Sequence, residues 1–112
     1  MATIPLNTFK TTTANVTTEM TTVYTTPAGV TTVVLLAQVS NIDSVDSVNI
    51  SANHIRSGNS TSIIKNTVCP INDSVTLLTG KLILQTGDSF SINCNANNKA
   101  QLILSYLETA NQ

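Results

Sequence analysis

Apolar side chains along this chain either recur at every second position or gather in short unbroken runs. Turn-forming residues separate these segments at intervals of about 8–12 residues. Val48, Ile50, Ala52 and His54 share one face of an extended segment, and Asn49, Ser51, Asn53 and Ile55 share the other. Phe90, Ile92 and Cys94 alternate in the same way. Residues 30–39 are apolar or β-branched apart from Gln38 and carry no charge, between Pro27-Ala28-Gly29 and the loop residues 40–44. Such a run reads as a buried central strand. Further extended segments are centred on Ile63 and Ile64, on Val75 to Leu78 and on Leu82 to Leu84, and the last covers residues 100–107 around Leu102-Ile103-Leu104. Gly58-Asn59 reads as a hairpin turn, and Pro70-Ile71-Asn72-Asp73, Gly80-Lys81, Gln85-Thr86-Gly87-Asp88 and Asn95-Ala96-Asn97-Asn98 read as the other turns. Apolar residues nowhere repeat at helical spacing over a helix-length window, although the middle of the chain leaves room for a single helical turn. The pattern predicts one all-β domain, a jelly-roll-like β-sandwich of about eight short antiparallel strands.

The first segment differs. Residues 3–26 are Thr-rich and suit an extended backbone, and Pro5 keeps its start off a central ladder position. Residues 1–20 are therefore expected as an extended N-terminal arm or first strand, and residues 21–112 as the sandwich. As an arm the segment reaches over a neighbouring subunit, with Ile4, Leu6 and Phe9 as its contact residues.

Composition adds one strong feature. Charged residues make up 10% of the 112 residues, against about 25% in ordinary globular chains. Thr, Asn and Ser replace them, while the apolar runs supply a core that disordered chains lack. Exposed charge keeps monomers apart, so its scarcity points to a protein built into an assembly. The cations Lys10, Arg56, Lys65, Lys81 and Lys99 are scattered, which excludes a phosphate-binding patch and hence nucleic acid. The start of the chain lacks a signal-peptide pattern and no apolar run approaches a membrane span, so synthesis in a host cytoplasm and no membrane partner are expected. Cys69 and Cys94 read as two free thiols, and the sequons at Asn15, Asn49, Asn59 and Asn72 carry no weight without a secretory route.

A search for chemistry finds no catalytic, cofactor-binding or metal-binding set. Asp73 and Asp88 occupy turns, where a carboxylate bonds nearby backbone N–H groups. Asp43 and Asp46 share a loop but lack the six or more oxygens calcium requires. His54 is the sole imidazole and has no Gly-x-Ser-x-Gly elbow to serve; it reads as a rim or interface residue. Glycan binding leaves Tyr24 and Tyr106 as stacking residues beside plentiful Asn. The chain is read as non-enzymatic.

The run Thr22-Val23-Tyr24-Thr25-Thr26-Pro27-Ala28-Gly29-Val30-Thr31-Thr32-Val33-Val34 resembles a turn-and-strand motif of tailed-phage virion proteins. Leu84-Gln85-Thr86-Gly87-Asp88-Ser89-Phe90-Ser91-Ile92 is similar to a second step of the same proteins. With Leu77-Leu78-Thr79-Gly80-Lys81-Leu82 and the ending Leu107-Glu108-Thr109-Ala110-Asn111, the chain resembles small virion structural proteins of T4-like marine cyanophages over nearly its full length. The resemblance implies a protein of the phage particle; within it the reading favoured is a decoration or cement protein of the virion, a homo-oligomer bound to the major capsid protein, with Ile4, Leu6, Phe9, Tyr24 and Tyr106 as partner-binding candidates. The alternatives are a tail, neck or fibre-associated structural protein and a receptor- or glycan-binding module.

Overall fold

The computed structural model describes residues 7–110. They form nine strands: β1 (Asn7–Val16), β2 (Thr21–Thr25), β3 (Val30–Asn41), β4 (Val48–Arg56), β5 (Asn59–Cys69), β6 (Ser74–Thr76), β7 (Leu82–Leu84), β8 (Ser89–Cys94) and β9 (Ala100–Ala110). The described residues contain no helix, so the helical turn allowed for in the middle of the chain is absent. Apolar alternation there runs at period two, and β4 and β5 pair instead.

Two antiparallel sheets face each other. The first has the order β1-β9-β3, with β6 and β7 both along the far side of β3; the second has the order β2-β8-β4-β5. β7 pairs beside Thr32, Val33 and Val34, and β6 beside Gln38, Val39 and Ser40. They are one strand interrupted where Leu77 turns inward. Leu77 is buried, and its N–H donates to the Ala37 carbonyl at 2.8 Å. Counting them together gives the eight-stranded jelly-roll order, in which successive strands cross between sheets except at the β4–β5 hairpin.

Period-two alternation fills the space between the sheets. Val34, Ala37, Val39, Leu84, Ala100, Leu102 and Leu104 come from the first sheet, and Val48, Ile50, Ala52, Phe90 and Ile92 from the second. The β4–β5 hairpin turns at Ser57-Gly58, one residue earlier than Gly58-Asn59, with φ of 52° and 80°. Two successive positive φ values make the turn whose twist suits a two-residue hairpin. Cys69 lies opposite Val48 on one side of β4, and Cys94 opposite Ile50 on the other. With β4 between them and a two-residue offset along it they stand about 11–12 Å apart, beyond the ~7 Å reach of a disulfide, and both are buried free thiols.

Candidate functional site

The outer face of the first sheet follows from strand register. Odd-numbered residues of β1 and β9 point outward, and even-numbered ones point into the core. Phe9 lies opposite Leu107, Leu107 opposite Val33, and Val33 opposite Ile83, so four apolar side chains form one row across four strands. The next row is Thr11, Ser105 and Leu36, where a bulge in β3 adds Leu35. A third row runs Thr13, Ile103, Gln38 and Thr76, and a fourth Asn15, Gln101, Ser40 and Ser74. Phe9 is 74% exposed, Ile83 48%, Leu35 41% and Ile103 39%. None of these side chains carries a charge. Phe9, Thr11, Leu35 and Ser105 border one shallow recess, with Lys10 at its rim, and Thr13, Asn15, Ser40, Gln101 and Ile103 border another. A face that joins one apolar row to uncharged polar rows in this way is suited to a contact surface.

Phe9 belongs to this face; Ile4 and Leu6 lie outside the described residues. Tyr24 and Tyr106 come together on the opposite side of the same sheet. Their rings are 4.4 Å apart with planes tilted by 47°, and Tyr106 is buried. Tyr24 Oη donates to Glu108 Oε2 at 2.6 Å and lies 2.8 Å from Thr32 Oγ1. Tyr106 Oη lies 2.8 Å from Thr12 Oγ1. Lys10 Nζ completes the group at 2.9 Å from Glu108 Oε1. Burial, reinforced by the bond to Glu108, raises the Tyr24 phenol well above its ordinary range. Burial pushes the Glu108 carboxyl up, but hydrogen bonds from Lys10 and Tyr24 outweigh it and leave the carboxyl below its ordinary value. The cluster ties β1, β2, β3 and β9 together, and the two tyrosine rings occupy each other's faces.

A second polar cluster stands at one end of the second sheet. Asp88, 2% exposed, receives Arg56 Nη2 at 2.6 Å and Nε at 2.9 Å. It also receives the Gln85 N–H at 2.9 Å, and His54 Nε2 lies 3.0 Å away. The Arg56 bond holds its carboxyl far below the usual carboxylate range against the opposing effect of burial, helped by His54 and Gln85. His54 thus faces an acid, at the rim where β4 ends. At the other end Lys99 Nζ bridges Asp43 Oδ2 at 3.3 Å and Asp46 Oδ2 at 2.8 Å. An ammonium occupies the place between the two acids weighed for calcium. No group of three or more His, Cys, Asp or Glu side chains among the described residues is arranged to hold a metal ion.

Sequence reasoning missed Leu35, Ile83 and Ile103. Each sits inside a continuous apolar run, which shows no alternation in the sequence although period two turns every second residue of it outward. The Arg56–Asp88 pair was missed because 32 positions separate its members and only the sheet register joins them.

No protein-family model and no curated protein sequence matches the chain. Among solved structures it is similar to a subunit of Bacillus endospore appendages, described as a novel family of disulfide-linked pili. That match has a TM-score of 0.56 and 8% identity, and covers 100% of this chain and 98% of the other. A pentameric capsid protein isolated from metagenomic phage sequences matches with a TM-score of 0.45 and 16% identity, covering 88% of this chain and 60% of that one. At such low identity the appendage likeness establishes a shared fold and nothing further.

Proposed function

We propose that this chain is a virion structural protein of a tailed phage, a decoration subunit that binds major capsid protein on the head and stiffens the shell. It assembles in the host cytoplasm and acts as a homo-oligomer. The observation that carries the reading is the outward row Phe9, Leu107, Val33 and Ile83, apolar and without charge, with Phe9 and Ile83 exposed and Leu107 and Val33 half-buried. The resemblance to small cyanophage virion proteins and the low charge of the whole chain support it.

Magnitudes decide how such a subunit holds on. Covering the exposed parts of Phe9, Leu35, Ile83 and Ile103 contributes about 1–2 kcal/mol each. The sum is about 4–8 kcal/mol, near the lower end of the ~4–15 kcal/mol lost on association. One copy therefore binds weakly, and an oligomer presenting several faces binds through effective concentration. The appendage protein shares the sandwich and is described as disulfide-linked; here both thiols are buried, so contacts between copies are non-covalent.

Quantitative mass spectrometry of purified particles tests the reading. Hundreds of copies per particle are expected, and Phe9→Asp should reduce incorporation while the isolated variant melts like the wild type. A dozen copies or fewer would move the protein to the neck or a fibre and refute the decoration role.

A further inference from the structure

The sandwich is closed along one side and open along the other. At the side of β1 and β2 the chain crosses between the sheets at residues 17–20, where the Thr17 carbonyl accepts the Cys94 N–H at 2.9 Å. At the opposite side β5 is the edge of the second sheet, and β6 and β7 form the edge of the first. A groove of about 290 Å³ runs there between β5 and residues 76–82. Ile63, Ile64, Leu77, Leu78 and Leu82 line it, and Lys81 is the one charge among its described lining residues. Leu77 is buried, but the other four pack on the core with part of each side chain left uncovered. Apolar surface in such a groove gains contacts and loses water when another side chain fills it.

The chain carries a segment with the chemistry to fill it. Ile4 and Leu6 precede β1, and the side chains of residues 1–6 carry no charge. Pro5 fixes its own φ and disfavours helical backbone at Ile4, and on an extended backbone residues two apart face one side. Ile4 and Leu6 therefore form an adjacent apolar pair whose backbone is already restricted, which lowers the cost of docking it. An apolar cavity of about 150 Å³ holds a benzene molecule. The groove, at about 290 Å³, has room for an Ile and a Leu side chain together.

We propose that Ile4 and Leu6 of one copy dock in the groove of a second copy. Reach decides between the copies. Asn7 lies level with Thr109, and Thr109 with Thr31, on the strand three spacings away from β6 and β7. Leu82 is level with Val34, three residues further along β3. With ~4.8 Å between strands and ~3.4 Å per residue along them, Leu82 stands about 17 Å from Asn7. Ile4 extends at most ~11 Å from Asn7, and Leu6 at most ~4 Å, so neither reaches the groove of its own chain. The arm and the groove are different surfaces, so the contact runs head to tail and either closes as a ring or continues as a filament. The inference goes beyond the decoration role, since it says how copies join in whatever particle they occupy.

Sedimentation of the full chain over a range of concentrations tests this with no phage component present, so its failure and that of the decoration role are separable. The wild type should associate as concentration rises. Ile4→Asp combined with Leu6→Asp should weaken association by about tenfold or more, because it takes two apolar anchors out of the groove and offers it charge. Cross-linking between two differently tagged chains locates the contact. Thr3→Cys in one chain and Lys81→Cys, at an exposed position, in the other should form a disulfide about tenfold faster than Thr3→Cys with Thr13→Cys. Thr13 is exposed on the outer face of the first sheet, so that pair is the control. A wild type that stays monomeric up to about 1 mM overturns the proposal. So does a doubly substituted arm that associates like the wild type, or cross-linking at Lys81 no faster than at Thr13.

Discussion

Replacing Asp88 by Asn keeps the side chain's size and removes its charge, at a site where that charge has three partners. Asp88 accepts from Arg56, from the Gln85 N–H and from His54 while 2% exposed. Hydrogen bonds to a charged group are worth about 1.5–3 kcal/mol each, against about 1 for neutral ones. The Arg56 guanidinium is half-exposed and returns to water when its partner is lost, so its share is discounted for screening. The remaining loss is that of a buried acceptor beside Gln85 and His54, and Asp88→Asn should cost about 2–3 kcal/mol. For a chain of this size that lowers the melting temperature by roughly 8–15 °C. The pH dependence has a definite sign. The folded carboxyl titrates far below its ordinary value, so its stabilisation is present above the unfolded pKa of about 3.9. It is lost as pH falls toward the folded value. Urea and thermal unfolding of both proteins from about pH 7 to pH 2 should show the gap narrowing below about pH 4. A gap under ~0.5 kcal/mol at neutral pH, or one that stays constant to pH 2, refutes this account of the cluster.

Three further substitutions test the packing. Thr26 is buried with no partner for Oγ1, and a buried unpaired hydroxyl costs about 1–3 kcal/mol; Thr26→Val should raise the melting temperature by several degrees, and a decrease would contradict that assignment. Phe90 is wholly buried whereas Phe9 is 74% exposed, so Phe90→Ala should cost about 3–5 kcal/mol and Phe9→Ala less than ~0.5 kcal/mol by urea titration.

The all-β sandwich was legible because its signals are local. Alternation at Val48, Ile50 and Ala52 and turns at Gly29 and Gly87, with φ of 73° and 87°, lie within a few residues of one another. The outer apolar row was less legible because it is a property of register. Nothing near Phe9 in the chain says that Leu107, Val33 and Ile83 continue its row; three separate strand pairings do. The inward stacking of Tyr24 on Tyr106 is hidden for the same reason, since β2 and β9 belong to different sheets. Low charge was visible at once, but the use made of each charge was not.

That use explains the uncharged face. The chain has five cations and six acids, eleven in all; seven of these, Lys10, Asp43, Asp46, Arg56, Asp88, Lys99 and Glu108, take part in ion pairs. Each group joins segments distant in sequence: Lys10 and Glu108 tie β1 to β9, Arg56 and Asp88 tie the end of β4 to the start of β8, and Lys99 secures the loop carrying Asp43 and Asp46. Paired charges contribute little to keeping copies apart, because their fields largely cancel beyond a Debye length of about 10 Å. Across the outer face of the first sheet the rows from Phe9 to Asn15 contain no charge, and β1 beside them has no bulge, proline or unpaired charge. β5, the long edge of the other sheet, has two bulges and an exposed lysine. The contrast is between two edges of one molecule in one solvent, so overall composition does not account for it. It follows if selection for solubility acted on the second sheet while the outer face of the first was covered by a partner, as the proposed decoration role requires.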